Sequence, residues 1–245
     1  MTPFPFGEIR NSAGERIDSS AHPSTRNDTL VILGHGVTGN KDRPLLVALA
    51  QGLAERGWPC LRISFAGNGE SEGNFSDSNI TKGCADLQAV LDHLPHGLKV
   101  AYAGHSMGGA VGALAAARDE RIHALLALAG MTHTAAFVAR EFGEITPGAG
   151  CMWDDENCPL SQNFTDDLTA IGDTLSAIAA VPQACFFIHG SADDVVPIQD
   201  GKDAYAAAEP PKQWLEIPGA GHSFDEASYS TIADAVDAWL QQVMA

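Results

Sequence analysis

Residues Lys99 to Ala117 read KVAYAGHSMGGAVGALAAA. The apolar run KVAYAG has the length and bounds of a buried strand, and the alanine-rich stretch from Met107 onward reads as a helix. The pentapeptide Gly104-His105-Ser106-Met107-Gly108 therefore has the form G-x-S-x-G between a strand and a helix. A serine on that sharp turn sits in a strained backbone conformation, and flanking glycines let strand and helix pack closely enough to leave its hydroxyl exposed. Ser106 is thus a candidate nucleophile.

Working outward, the same alternation of short apolar runs and amphipathic stretches covers most of the chain. TLVILGHG reads as a buried strand, and in PLLVALAQGLAERGW the residues Leu46, Leu49, Ala50, Leu53 and Ala54 keep helical spacing. CLRISF reads as a strand. A helix from about Asn79 places Ile80, Cys84, Leu87, Leu91 and Leu94 on one face. Beyond the quoted stretch, ALLALAG, ACFFIHG and QWLEIP read as strands, with helices at QDGKDAYAAA and STIADAVDAWLQQV. Before the series, GEIRNSAGERIDS alternates weakly around Asn11-Ser12-Ala13-Gly14, as a β-hairpin does. Strands alternating with amphipathic helices imply an α/β fold: a mostly parallel sheet with right-handed crossovers and helices on both faces.

One interval breaks the rhythm. Met131 to Gln183 separates two strands where a simple crossover needs only about a dozen residues. It contains FVAREFGEI, the irregular TPGAGCMWDDENCPLSQ and the more helical DDLTAIGDTLSAIAA. The segment 131–183 is expected to be a small, mainly helical lid inserted in a core formed by 1–130 and 184–245.

Composition narrows the function classes. The 245 residues are 45% hydrophobic and 18% charged, as in a folded globular chain, and one large domain is expected. Aspartate and glutamate number 31 against 14 lysine plus arginine, a formal charge of -17. A field of that sign repels phosphate backbones and anionic membrane surfaces, so neither nucleic acid nor membrane is an expected partner. The N-terminal stretch lacks the cationic patch, apolar run and cleavage site of a secretory signal, and no apolar run approaches the roughly 20 residues of a membrane span. A cytoplasmic protein is the expectation. The cysteines at 60, 84, 151, 158 and 185 form no CxxC pair and call for no metal; the spacing of Cys151 and Cys158 fits no common zinc site.

A serine hydroxyl needs a base to take its proton as it attacks. Of nine histidines, His222 in EIPGAGHSFDE stands in a glycine-rich loop just after a strand, where an imidazole can reach the sheet edge from which Ser106 projects. His105 flanks the serine but is expected to point the other way around the turn; it, His35 and His189 read as structural hydrogen-bonding histidines. The base in turn needs a carboxylate. Asp193 and Asp194, in HGSADDVVP, both follow a strand end in the right place. An oxyanion requires N–H donors, which the Met107 amide and an amide after TLVILGHG, Val37, would supply.

Over nearly its whole length the chain resembles the α/β-hydrolase superfamily. The segments HGVTGNKD, FAGNGESEG, GHSMGG, HGSADDVVP and GAGHSF are most similar to the bacterial serine esterases that include feruloyl and cinnamoyl esterases, and to monoacylglycerol lipase and serine aminopeptidase-like groups. The resemblance implies the α/β-hydrolase fold, a helical lid after the sixth core strand, and a Ser-His-Asp enzyme hydrolysing a small carboxylic ester without a cofactor. It selects Asp193 over Asp194, and it matches Val37 and Met107 to the oxyanion donors. The chain departs from the family in SFAGNGESEG, where Ser64, Ala66 and Asn68 replace charged or imidazole side chains. The lid matches no substrate-binding motif; Phe137, Phe142, Trp153 and Phe164 are the candidate apolar walls of a substrate pocket. The same triad serves thioesters and small amides, and the fold also serves as a small-molecule receptor, so both stand as alternatives.

Overall fold

The fold is described from a computed structural model that covers residues 7–244. The first six residues, part of the stretch read above for a secretory signal, lie outside it. The hairpin expected at the N-terminus is Ile9–Arg10 (β1) paired antiparallel with Arg16–Ile17 (β2). Its turn residue Asn11 also reaches inward, donating from Nδ2 to the buried carboxylate of Asp86 at 2.7 Å. The other oxygen of Asp86 accepts the Ala66 amide at 2.7 Å, so one carboxylate ties the hairpin to the core. Burial raises the Asp86 pKa, and the bonds from Asn11 and Ala66 oppose that shift.

The main sheet has seven strands in the order Ser19–His22 (β3), Cys60–Ile63 (β5), Thr29–Gly34 (β4), Lys99–His105 (β6), Ile122–Leu128 (β7), Ala184–Gly190 (β8) and Lys212–Ile217 (β9). Every neighbouring pair is parallel except β3 with β5. The parallel strands coincide with the apolar runs of the sequence because both their faces are covered. β3 has no such run: SSAH is half-exposed and lies on the edge, so its only signal is its pairing.

Two layers of helices cover the sheet. Pro44–Glu55 (α1) and Glu226–Val243 (α8) pack on one face, where Leu46, Leu49 and Leu53 meet Val31, Leu33, Ile232 and Trp239. Ile80–His93 (α2) and Met107–Ala116 (α3) pack on the other, against Leu30, Ile32 and Tyr102. Alternate residues of β4 thus serve opposite cores, as strand geometry requires. Asn79 caps α2 by accepting the Lys82 amide, which fixes its start where the sequence placed it. α8 begins four residues earlier than its apolar pattern, at Glu226, because Asp225 caps a first turn that faces solvent.

Between β7 and β8 the chain forms Thr134–Phe142 (α4), an irregular stretch, Gln162–Ile171 (α5) and Leu175–Ala179 (α6). The insertion follows ALLALAG, but that strand is the fifth of the sheet in chain order and not the sixth. It is anchored at its start and again at α5. Thr132 and His133 donate their amides to the Asp200 carboxylate at 2.9 and 3.0 Å, on Ile198–Ala207 (α7). Thr81 at the start of α2 holds Asp167 of α5 through its amide and hydroxyl.

Candidate functional site

Four loops leave the C-terminal ends of β4, β6, β8 and β9, and they carry Val37, Ser106, Asp193 and His222 respectively. In a parallel sheet this edge is where loops converge on a ligand. Ser106 stands at φ 56° and ψ -118°, between the last residue of β6 and the first of α3. The left-handed conformation is strained for a residue with a side chain. Three backbone bonds hold it: its amide to Leu128 O at 3.0 Å, and its carbonyl from Gly109 and Met131 amides at 2.9 and 3.0 Å. Close crossing requires glycine at 104, where a Cβ would fall 2.1 Å from the Gly108 carbonyl oxygen, and at 36, where it would fall 2.7 Å from Ser106 Cβ.

Asp193 and His222 are brought together as the sequence placed them. The carboxylate has no exposed side-chain surface and accepts His222 Nδ1–H at 2.9 Å. Its Oδ1 accepts the amides of Val195 and Val196 at 3.0 and 2.9 Å, and Oδ2 is also 3.2 Å from His189 Nε2. Burial alone would raise this carboxyl's pKa. The bonds from His189, His222 and Val196, with the His222 charge, outweigh burial and hold it below the usual range. Its neighbour Asp194 is exposed. Because Nδ1 carries the proton to Asp193, Nε2 of His222 is left as the basic atom. Neither that nitrogen nor the Ser106 hydroxyl makes a hydrogen bond among the described residues. Such contacts are commonly long in the unliganded state and tighten with substrate. The two loops are sewn to each other by Ala192 N–H to Ala220 O at 2.9 Å and Gly219 N–H to Ser191 Oγ at 2.8 Å.

The other histidines divide. His35 accepts the Phe65 amide on Nε2 at 2.9 Å and donates Nδ1–H to Gly36 O at 2.8 Å, so it is structural, as expected. Burial pushes it down to about 4. His189 bonds Val196 O at 2.9 Å besides Asp193, so it supports the acid directly. His105 corrects the sequence reading. It does not turn away from the site but packs its ring 4.8 Å from that of His222 and bonds the His222 carbonyl at 2.9 Å. The strand end leaves its side chain on the side of the β9 loop. Burial first, and the His222 charge second, push His105 to about 3, so it is neutral.

Ser106, His105 and His222 line one cavity of about 450 Å³ with Val37, Trp153 and Tyr229. The Val37 amide has no acceptor among the described residues, and the Met107 amide opens α3, where the first N–H groups lack intrahelical partners. The pocket walls need a second correction. Of the four aromatics expected there, only Trp153 lines the cavity, and it is 43% exposed. Phe137, Phe142 and Phe164 are buried behind it as an edge-to-face cluster, with Phe142 4.9 Å from Trp153 and 6.0 Å from Phe164. They bury because α4 and α5 must bury one face each on the other. Arg43, Leu45, Val195 and Tyr229 line the cavity without having been singled out by sequence. They lie on α1, α8 and the Asp193 loop, and no local motif marks them.

The loop that carries Ser64, Ala66 and Asn68 is held by neutral groups. Asn68 donates to Ser78 Oγ at 2.9 Å, and Ser64 Oγ accepts the Lys41 amide at 3.1 Å. Cys151 and Cys158 are both free thiols, and among the described residues no group of three or more His, Cys, Asp or Glu could hold a metal ion. No helix among them is long and apolar enough to cross a membrane.

A family model of the α/β-hydrolase fold matches residues 29–149. The uncharacterized protein YfhR of Escherichia coli O157:H7 is 25% identical over 213 residues, 84% of this chain and 67% of that protein. The chain thus spans about two thirds of the length of that relative. Among solved structures, ferulic-acid-bound Est1E of Butyrivibrio proteoclasticus superposes with a TM-score of 0.83 at 22% identity, covering 97% of this chain and 98% of that one. The esterase domain of a Rhodothermus marinus protein gives 0.76 at 18% identity, covering 97% and 98%. At these identities the likeness is one of fold.

Proposed function

Because the chain is a member of the α/β-hydrolase superfamily, we propose that it is a serine carboxylic ester hydrolase acting on a small-molecule ester through an acyl-enzyme. The observation that carries this reading is that Ser106, held in a strained turn, and His222, held by buried Asp193, line one cavity. Ser106 Oγ attacks the ester carbonyl carbon while His222 Nε2 takes its proton. Asp193 fixes the imidazole tautomer and stabilises the imidazolium. The carbonyl oxygen becomes an oxyanion facing the Val37 and Met107 amides, each contributing about 3 kcal/mol in the transition state. Collapse breaks the bond to the alcohol oxygen, which leaves with the proton from His222. Water, deprotonated by His222, then attacks the acyl-enzyme and releases the acid and Ser106.

In this reading 131–183 is a lid whose Trp153 forms one wall of the cavity, and 1–130 with 184–245 is the catalytic core. The test is hydrolysis of p-nitrophenyl acyl esters and methyl hydroxycinnamates, with fluorophosphonate labelling of the folded protein. Turnover and labelling are expected, and both are expected to vanish in Ser106→Ala. Ester turnover undiminished in Ser106→Ala sinks the nucleophile, and labelling without turnover on any ester sinks the ester class.

A further inference from the structure

The acidity of the chain makes the charge around the cavity informative. Acidic residues outnumber lysine plus arginine by 31 to 14, yet among the described residues no Asp or Glu lines the cavity. Its one permanently charged wall residue among those described is Arg43. Arg43 is exposed and forms no ion pair within 4 Å among the described residues; its Nη2 donates to the Thr38 carbonyl at 2.9 Å, and its Nε–H and Nη1–H groups meet no protein acceptor among them. Thr38 has φ 54° and directly follows Val37, so this bond ties the guanidinium to the loop that presents the oxyanion amide. Arg43 occupies the N-cap of α1, where its backbone carbonyl accepts the Val47 amide at 3.1 Å but its side chain makes no capping hydrogen bond, and a cation there opposes the helix dipole. A locally unfavourable residue with unspent donors in a ligand cavity marks a functional position. The acids that follow Trp153 do not line the cavity; Asp155 is engaged first by Asn157 and then by the Cys158 thiol, and the Arg43 charge acts on it more weakly.

Resting on the esterase reading above, we propose that Arg43 is a specificity-determining residue that binds a carboxylate carried by the substrate, so that the preferred substrates are esters bearing a free carboxylate near the scissile bond. The planar fork of a guanidinium matches a carboxylate in two parallel hydrogen bonds. The cavity walls around it, Leu45, Pro44, Val195 and Trp153, suit the short carbon chain between carboxylate and ester.

Two matched pairs test this: monomethyl glutarate against methyl pentanoate, with the carboxylate on the acyl side, and 4-acetoxybutanoate against butyl acetate, with it on the alcohol side. At least one pair is expected to show an anionic-over-neutral ratio of kcat/KM of about tenfold or more, falling with added salt as an ionic contact does. In Arg43→Gln that ratio is expected to drop by about tenfold, and in Arg43→Glu to fall below one. A ratio at or below one in both pairs, or a ratio that survives Arg43→Gln, overturns the proposal. If none of the four esters is hydrolysed, the esterase reading fails separately, and calorimetric titration of Ser106→Ala with monomethyl glutarate decides. Binding abolished by Arg43→Gln keeps the carboxylate site; absent or unchanged binding removes it.

Discussion

Asp193 Oδ2 lies 2.9 Å from Nδ1 of His222, on a side chain with no exposed surface, while adjacent Asp194 faces solvent. The paired acids of HGSADDVVP therefore have different jobs. Asp193→Asn presents an amide N–H to His222 Nδ1 or forces the other tautomer, and is expected to lower turnover by about 10³–10⁴. Asp194→Asn is expected to change it less than about twofold, since it removes only an exposed charge. Steady-state kinetics on the best ester decide, and the reverse pattern would move the acid by one residue.

A side chain at Gly36 would crowd the nucleophile. The methyl group of Gly36→Ala would sit 2.7 Å from Ser106 Cβ and 3.1 Å from its Oγ, so the Val37 loop must move away. Losing one aligned oxyanion donor is expected to lower kcat by about 10²–10³, with the protein still folded by circular dichroism. Full activity in Gly36→Ala would show that the loop amide does not face the reacting carbonyl.

Trp153 is both exposed and stacked by its edge on Phe142 at 4.9 Å. Trp153→Ala is expected to cost about 1 kcal/mol of stability, since only part of the ring is buried. The larger change is expected in KM, raised severalfold for esters with an aromatic or long acyl group and little for acetates. Thermal unfolding and kinetics on an acyl series separate the two effects, and an unchanged KM across the series removes Trp153 from the substrate wall.

Stability is expected to rise with pH between about 4 and 6.5. His35, fully buried, is pushed down to about 4, against about 6.5 in the unfolded chain. Between those values the unfolded chain binds the extra proton, so the contribution is complete above 6.5 and is lost as pH falls toward 4. At pH 5 the loss from this one residue is about 2 kcal/mol. His105, lowered by burial and then by His222, acts with the same sign. Asp193, whose carboxyl is depressed, adds its own loss only below the ordinary carboxylate range near 4. Denaturant titrations from pH 4.5 to 7 should show a slope shallower in His35→Gln than in the parent; an equal slope would mean His35 does not stay neutral in the fold.

Local periodicity and backbone chemistry make part of this protein legible from its residues alone. Apolar runs marked every strand buried on both faces, helical spacing marked α1 and α2, and G-x-S-x-G marked a turn that only small residues permit. Loop positions after β8 and β9 marked the Asp193-Asp194 pair and His222 because a parallel sheet delivers such loops to one edge, and the family resemblance chose Asp193 from the pair. What only the tertiary structure decided involves partners far apart in the chain. β3 is a strand solely because β5 pairs with it; SSAH has no buried face to impose a period. Phe137, Phe142 and Phe164 looked equivalent to Trp153, but α4 packing on α5 buried three rings and left the fourth on the cavity. His105 faces His222 because the β9 loop folds over it, and Arg43 enters the cavity because α1 starts beside the Val37 loop. A side chain's own position in the chain sets which way it leaves the backbone; what it meets there is set by elements distant in sequence, 117 residues away for His105 and His222.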